Sequence, residues 1–353
     1  MKRPESEKKE KKKRGCLIVL IVFLALIVVA LIAATIFINH MLGKISREDE
    51  VIETLSQEDI EFILNETEPE DMEYTVPVDE NGETIPEETV VMPETPVESV
   101  AKSDNVINIL LVGQDTYSNR SRSRTDTMIL CTVNKETKTL TMTSFMRDLY
   151  VVIPGYADQR LNVPYVLGGF NKLYQTLEHN FGVEVEHGVA VNFSSFPKVI
   201  DAVGGVDIDL TSKEANYLNR RSDNEWTLSE GVNRLDGEQA LEYSRIRKLD
   251  SDFGRTNRQR KVLTAVLNRA KKLSVAQLYD LVETLMPLVH TDMTDAEMIT
   301  IAAELIPLLT DIEIVTQRIP VNGGYKSRMI KGMAVLVPDT EVNRQFLEDT
   351  IGG

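Results

Sequence analysis

The alternation of apolar and polar residues predicts strands and helices in turn along the carboxyl-terminal two thirds of the chain. Val106–Val112 is a continuous apolar run ended by Gly113, which is typical of a strand covered on both faces. Further strands are predicted at Met128–Val133, Leu140–Phe145, Val189–Phe193 and Ile312–Ile319. Helices are predicted near Leu173–Asn180, Phe196–Val203, Leu235–Tyr243, Thr256–Leu273, Val275–Val289, Asp295–Leu309 and Thr340–Ile351. This alternation predicts an α/β fold over residues 104–353, a three-layer α-β-α domain with a central mixed sheet.

The amino-terminal part of the chain has a different pattern. Residues 1–15 are rich in Lys and Arg, and the run Cys16–Ile38 contains no charged residue. A run of this length can cross a bilayer as one helix, so residues 16–39 are predicted to be a transmembrane helix. The basic tail before it places the amino terminus in the cytoplasm and the rest of the chain outside the cell. A cleaved signal peptide is the alternative, but the apolar run is long for one and no clear cleavage pattern follows.

Residues 40–103 are predicted to be an acidic extracellular linker. The stretch from Glu48 to Glu98 contains several prolines and neither Lys nor Arg. Such a composition cannot bury enough apolar surface to fold, so the linker is expected to be disordered and extended. Glu50–Asn65 has helical spacing and could form a helix next to the membrane. The linker supplies much of the formal net charge of −16, and the folded part is nearly neutral.

Several kinds of chemistry are excluded by the motifs. The two cysteines, Cys16 and Cys131, fall in the apolar run and in a predicted buried strand, so the exported domain has no disulfide. No phosphate loop, GxSxG, HExxH or CxxC motif is present, and the four histidines are not spaced as metal ligands. The basic residues are not gathered on an aromatic-rich sheet, which makes nucleic acid a poor partner.

The most unusual stretch of the chain is Tyr243–Lys261, which is crowded with arginine. Within it, Arg255, Arg258 and Gln259 fall on the apolar stripe of the helix that follows. We expect them on the buried side, where a helix amino terminus also favours an anion. Arg260 and Lys261 leave the stripe and are predicted to face solvent, and Asp252–Gly254 is predicted to be a turn.

Two more arginines of this stretch, Arg245 and Arg247, would share one face if Tyr243–Lys248 is extended. A solvated basic helix face is the simplest alternative. Burying arginine without a partner is costly, however, and a guanidinium group binds phosphate or carboxylate oxygens bidentately. The stretch therefore predicts an oligo-anion site, most simply for a pyrophosphate.

Charged residues also stand at the ends of three predicted strands. They are Asp115, Arg124, Asp126 and Arg147. One such carboxylate is often only a helix cap or a turn former. Because ligands of open α/β sheets collect at strand ends, the set of four favours a binding site.

The motifs resemble the successive blocks of the LytR–CpsA–Psr family. The matching segments read NILLVGQDT, SRTDTMIL, SFMRDLYVVIPG, RLNVPYVLGG, NFSSFPKVIDAVGGVDIDL, LDGEQALEYSRIRK and DFGRTNRQRKVL, and they follow one another in the family's order over residues 108 to about 267. VLVPD near the carboxyl end is also similar. The family usually has a lysine-rich variant of the RLN block, where this chain has Arg160, a change that preserves the charge.

The resemblance implies a phosphotransferase of the cell wall. Such enzymes move a glycopolymer (teichoic acid, capsule or a similar polymer) from a polyprenyl-pyrophosphate carrier to peptidoglycan, commonly to the 6-hydroxyl of N-acetylmuramic acid. The lipid tail is implied to enter an apolar pocket between sheet and helices. The implied metal ligands for Mg²⁺, or Mn²⁺, are Asp115 and Asp126. The implied pyrophosphate-binding residues are Arg124, Arg147, Arg245, Arg247, Arg255, Arg258 and Gln259.

Among these, Arg147, Arg245 and Arg247 are also implied to be catalytic, together with Asp252. Asp252 is a candidate base for the acceptor hydroxyl; it could instead orient Arg255 or bind metal. Two other functions remain open at this point. One is a non-catalytic envelope receptor or regulator that binds lipid-linked or wall polymer. The other is a polyprenyl-pyrophosphate pyrophosphatase, in which water replaces the sugar acceptor.

Overall fold

The computed structural model describes residues 43–44, 46–47, 55–65, 90, 92–114, 123–192, 195–223, 225–250 and 252–352. The predicted transmembrane helix at residues 16–39 and the predicted metal ligand Asp115 lie outside the described residues. Within those ranges no helix is both long and apolar enough to span a membrane. The described residues from Ser46 onward form one compact unit.

The described strands are β1 (Ser46–Arg47), β2 (Val106–Gln114), β3 (Thr125–Asn134), β4 (Thr139–Phe145), β5 (Tyr150–Val151), β6 (Gln159–Arg160), β7 (His187–Asn192), β8 (Val206–Leu210), β9 (Gly231–Leu235), β10 (Val289–Thr291), β11 (Glu313–Ile319), β12 (Tyr325–Ile330) and β13 (Met333–Pro338). Seven of them form the central sheet in the order β1-β10-β7-β2-β3-β4-β11. The pairs β7–β2 and β4–β11 are parallel, whereas β2–β3 and β3–β4 are antiparallel. The prediction of a mixed central sheet is confirmed.

The described α-helices are α1 (Gln57–Asn65), α2 (Pro164–Phe181), α3 (Phe196–Ala202), α4 (Ser212–Arg221), α5 (Gly237–Ser244), α6 (Asp252–Ala270), α7 (Val275–Leu285), α8 (Asp295–Leu305) and α9 (Thr340–Ile351). On one sheet face, Leu110, Leu130 and Phe145 pack with α2 and α9 in the main core. On the other face, Ile129 and Met142 pack against α6. Strand residues alternate between the faces, so both must be covered by helices. The layers are therefore helix, sheet and helix, as predicted.

Several predicted helix bounds are wrong for identifiable reasons. The predicted helix Val275–Val289 ends at Leu285, a 3₁₀ turn containing Pro287 follows, and Val289 begins the short strand β10. Proline lacks the N–H group that a continuing helix needs. The helix predicted at Asp295–Leu309 ends at Leu305 for the same reason, since Pro307 lies in the next 3₁₀ turn.

The prediction of a disordered linker over residues 40–103 is wrong for its described segments. Helix α1 packs Ile60, Ile63 and Leu64 against the main core, which also agrees with the helical spacing of Glu50–Asn65. Further along, Met92 and Val100 are buried. The prediction rested on the acidic composition, in which these few apolar residues carried little weight. They are too few to make a core alone, but they can pack against a core that already exists.

Candidate active site

A cavity of about 740 Å³ lies between the sheet and the helices of the second face. Its mouth is polar and its interior is apolar. The mouth is lined by Arg124, Asp126, Arg147, Arg245, Arg247, Arg255 and Gln259. Six of the seven predicted pyrophosphate-binding residues and one predicted metal ligand therefore meet at one opening. Five guanidinium groups around one carboxylate make this opening strongly attractive to a polyanion.

The local backbone explains how Arg245 and Arg247, which are two residues apart, both reach the cavity. Tyr243–Lys248 is not extended as hypothesised: α5 ends at Ser244, and Arg245 caps it in a helical conformation. Ile246 is fully buried between the two arginines, which anchors the segment. Arg245 and Arg247 line the cavity on either side of this anchor.

Asp126 is the electrostatic centre of the mouth. Its carboxylate accepts a hydrogen bond from Arg147 Nη1 at 2.8 Å and a longer one from Arg247 Nη2 at 3.4 Å. Burial alone would raise the pKa of Asp126, but the charges of Arg147, Arg255 and Arg247 outweigh it and hold that pKa below its ordinary value. Asp126 is therefore ionised at neutral pH.

Asp148 is a carboxylate of this region that sequence reasoning did not assign to the site. Its Oδ1 lies 3.5 Å from both Arg147 Nε and Arg160 Nη1, and the Arg160 side chain is fully buried. Burial raises the pKa of Asp148 to about 6, with Arg147 opposing and Asp252 adding to the shift. The RD pair in the block SFMRD was the available signal, because it delivers an acid beside a site arginine.

This pKa predicts a pH-dependent stability. Between about pH 4 and pH 6 the folded protein holds a proton on Asp148 that the unfolded chain, with its ordinary value of 3.8, has lost. Since the folded state then binds more protons, the free energy of unfolding falls as pH rises through this window. We expect Asp148→Asn to reduce that fall, measured as the difference between urea midpoints at the two ends of the window. An unchanged slope in the variant would contradict the assignment.

Asp252 lies at the first turn of α6, where a turn was predicted and the helix in fact begins. Its Oδ1 is 2.7 Å from Arg255 Nη2. Arg255 is itself 2% exposed, and its Nε and Nη1 atoms are buried without hydrogen-bond partners. Asp252 thus orients an arginine whose remaining donors are available to an anion. Its role as a base stays a prediction.

Arg258 is not among the residues that line the cavity, so its predicted place in the pyrophosphate site is corrected. Its Nε donates to Glu214 at 2.7 Å, its Nη2 to Asp250 at 2.6 Å, and its Nη1 also reaches the carbonyl of Ile246 at 3.0 Å. Helical spacing correctly placed Arg258 on a buried side. It faces α4 and the loop before α6 rather than the cavity, and two carboxylates neutralise it.

Two neighbouring stripes of side chains run along α6 and face different surroundings. Arg255, Gln259, Val262 and Val266 line the cavity, at the four- and three-residue steps of one helix face. The stripe Thr256, Arg260, Leu263 and Leu267 passes alongside it and faces the sheet, and Leu263 of this stripe also borders the cavity. Thr256 Oγ1 contacts Met146 Sδ at 3.4 Å, and the two leucines pack with Met142. The prediction that Arg260 faces solvent is wrong, because it belongs to this second stripe.

The interior of the cavity is a continuous apolar surface, which sequence reasoning could not assign. The sheet contributes Leu111, Ile129, Val189 and Val191, and the helices contribute Phe196, Val199, Ile200, Leu241, Val262, Leu263 and Val266. A volume of this size suits a ligand larger than a nucleotide base. The signal that could have found part of it is the alternation in β7, which places Val189 and Val191 on one face.

The residues of the mouth can also be compared with the ligands that a metal ion needs. Among the described lining residues Asp126 is the one carboxylate, and the described residues contain no group of three or more His, Cys, Asp or Glu that could hold a metal. Mg²⁺ usually takes only one or two protein carboxylates and completes its shell with water and phosphate oxygens. The donor set therefore fits an ion held jointly by Asp126 and a bound phosphate, rather than by a closed protein site.

Fold and cavity together define a class of protein: an α/β domain that binds an amphipathic molecule by an apolar tail and a multiply charged anionic head. Comparison with known proteins identifies the family of the chain. The model of the LytR_cpsA_psr family matches residues 74–351. The chain belongs to the LytR–CpsA–Psr family.

Two relatives and one solved structure illustrate the match. TagU of Oceanobacillus iheyensis is 32% identical over 266 residues, 72% of this chain and 78% of that protein. TagT of Bacillus subtilis is 34% identical over 178 residues, 49% of this chain and 55% of that protein. Both are named polyisoprenyl-teichoic acid–peptidoglycan teichoic acid transferases. A solved structure of TagT bound to LIIa-WTA is 26% identical and covers 73% of this chain and 95% of its own, with a TM-score of 0.60.

Proposed function

We propose that this protein transfers a glycopolymer such as teichoic acid or capsule from a polyprenyl-pyrophosphate carrier to peptidoglycan, forming a phosphodiester bond. The observation that carries the proposal is that an arginine-lined mouth and an apolar interior belong to the same cavity. In this proposal the polyprenyl chain occupies the apolar interior, and its pyrophosphate lies among the arginines of the mouth. The names of the two transferases support the same reaction.

The chain's own residues act mainly by positioning and by charge. The phosphate that leaves with the lipid gains negative charge as its bond to the glycan phosphate breaks. Arg147 and Arg247 are fixed in advance by Asp126, and Arg255 by Asp252, so they stabilise that charge without first reorganising. Asp252 is the candidate to accept the proton of the attacking sugar hydroxyl.

Mg²⁺ is proposed as the cofactor, with Asp126 and Asp115 as its protein ligands. When bound, it would neutralise charge on the pyrophosphate oxygens. Arg147 and Arg247, which contact Asp126, would share its carboxylate with the ion. Removing divalent ions with a chelator tests this part of the proposal, which requires transfer to stop and to resume when Mg²⁺ is restored.

The proposed location is the outer face of the cell membrane, with a single-pass anchor at residues 16–39 and a cytoplasmic amino terminus. A membrane anchor suits a donor that is itself a membrane lipid, since both partners are then confined to one surface. Protease protection in intact cells tests the orientation. Digestion must remove the domain after residue 104 and spare the basic tail.

The tail-binding cavity yields a separate prediction. Val199→Trp places a large side chain among the apolar lining residues, so we expect it to weaken binding of the polyprenyl donor by about tenfold or more. The measurement is the donor concentration at half-maximal transfer. Val232→Trp is the matched control, because Val232 is 75% exposed on β9 and does not line the cavity. Equal effects of the two variants would show that the tail binds elsewhere.

The assay that tests the whole proposal uses the purified protein, a short lipid-pyrophosphate glycan, peptidoglycan oligosaccharides and Mg²⁺. Formation of a glycan–peptidoglycan conjugate is the expected result. Release of free phosphorylated glycan without conjugate would identify a pyrophosphatase instead. Tight lipid binding without any turnover would identify a non-catalytic receptor.

A further inference from the structure

Arg260 presents an unusual charge outside the cavity. It lies on α6 and is 7% exposed, yet its Nε and Nη1 atoms have no hydrogen-bond partner. Its Nη2 makes only a long contact, 3.5 Å, to the side-chain oxygen of Asn257. A buried guanidinium group with unmet hydrogen-bond donors is costly. Arg260 is therefore a candidate to bind an anion.

The charged group that acts on Arg260 is another cation, Arg318. Burial and the neighbouring Arg318 lower the pKa of Arg260 to about 10. In the described part of the chain no carboxylate forms an ion pair with Arg260, in contrast to Arg258, which has two. Two arginines have thus been brought together without the acid that normally accompanies such a pair, and an anion from outside would supply it.

The sheet adds a third polar group to the same place. Ser144 and Arg318 are direct partners across the β4–β11 pair. Both point away from the main core, because Phe145 and Ile319, their neighbours along the strands, belong to it. The hydroxyl oxygen of Ser144 is also buried without a hydrogen-bond partner. Ser144 and Arg318 therefore lie on the sheet face that is covered by α6, the helix that carries Arg260.

Two partly exposed aromatic rings border this group. The guanidinium carbon of Arg318 lies 4.2 Å from the ring centroid of Phe253, and the rings of Phe253 and Tyr325 are 5.6 Å apart. Arg318 is held by hydrogen bonds to the carbonyl of Pro320 and to Asn322, so the arrangement is fixed. Such rings offer a flat surface on which a sugar or peptide can pack.

We infer that Arg260, Arg318 and Ser144 form a second anion site, which takes a carboxylate of the peptidoglycan acceptor. The inference rests on the proposed function, because it assigns a place to the acceptor of that reaction. The site and the cavity lie against neighbouring faces of α6, whose diameter with side chains is about 10 Å. An acceptor sugar at the mouth would therefore have its peptide stem within reach of Arg260.

A terminal carboxylate fits this site better than a phosphate of the glycopolymer. Arg260 is almost completely buried, so a group must reach it end-on. A carboxylate at the end of a peptide stem or side chain can do so, whereas a phosphodiester carries chain on both sides. The donor also has its own anion site, since its pyrophosphate is assigned to the mouth arginines on the neighbouring face of the helix.

The experiment compares two acceptors in the transfer assay: muramyl-peptide oligosaccharides with free carboxylates and the same oligosaccharides with carboxamides. We expect Arg260→Met to raise the half-saturating concentration of the carboxylate acceptor by about tenfold, since it removes a charge-assisted contact. Its maximal rate and its use of the carboxamide acceptor should stay unchanged. Lys261→Met is the matched control, because Lys261 is the exposed neighbour on the same helix.

Calorimetric binding of the two oligosaccharides, without donor, separates this inference from the proposed function. If the wild-type protein forms no conjugate, the proposed function fails, and binding alone then decides whether the site exists. If conjugate forms but Arg260→Met treats both acceptors as the wild type does, the second site is wrong. An effect on donor saturation alone would assign Arg260 to the glycopolymer phosphates. Should Arg260→Met fold poorly, Arg318→Met provides the same comparison at a partly exposed residue.

Discussion

Arg255→Ala is expected to lower the rate of transfer by about 10²–10³. The buried guanidinium of Arg255 faces the cavity mouth, with two donors unmatched and a third fixed by Asp252. Alanine removes a charge that acts where the leaving phosphate becomes more negative. The measurement is the initial rate of conjugate formation at saturating donor and acceptor.

Two comparisons make this result specific. Arg221→Ala removes an arginine that is 58% exposed on α4 and should leave the rate unchanged. Arg255→Lys keeps the charge but loses the planar fork, so its rate should fall between those of the wild type and the alanine variant. A thermal unfolding curve for Arg255→Ala close to the wild type would establish that chemistry, not folding, is affected. Normal transfer by Arg255→Ala would remove the mouth arginines from the mechanism.

The second large effect concerns stability. Arg258→Met is expected to lower the free energy of unfolding by about 3 kcal/mol, because it leaves the buried Glu214 carboxylate without its cation. Both partners of this ion pair are less than one tenth exposed. Urea unfolding of the two proteins at neutral pH measures the difference. The double variant Arg258→Met with Glu214→Gln should recover part of the loss, since it removes the uncompensated charge.

An exposed ion pair provides the control for that prediction. Arg234 and Asp207 are 2.6 Å apart, as close as the buried pair, but each is nearly half exposed. Arg234→Met should therefore have no measurable effect on the urea midpoint, because water screens the pair. Equal losses from Arg234→Met and Arg258→Met would mean that burial does not decide what these contacts contribute.

The site was predictable from the sequence to the extent that it depends on local spacing. Arg255 and Gln259 are four residues apart on one helix, and Asp126 and Arg147 stand at strand ends, so periodicity alone brings each to a defined edge or face. Arg258 shows the limit of that reasoning. Spacing indicates that a residue is buried, but not which neighbour it meets. The acids that neutralise Arg258 come from α4 and from the loop before α6.

The apolar interior of the cavity was beyond the sequence for a related reason. A valine that lines a cavity and a valine that fills a core have the same hydropathy, and only the distance between sheet and helices distinguishes them. The same holds for Arg260. Its helical position was assigned from the cavity stripe, whereas the sheet below α6 creates a second buried face beside it. Long-range packing therefore decided the parts of the site that local pattern left open.

Helix α1 has a practical consequence for work on this protein. The carbonyl of Ile63 accepts a hydrogen bond from Arg124 at 2.9 Å, and that of Leu64 accepts one from Gln159 at 2.7 Å. A soluble fragment cut at residue 104, where composition alone would set the boundary, loses both acceptors and bares the apolar patch beneath α1. One begun at residue 46 retains them, and is the version in which Arg124 keeps its native surroundings.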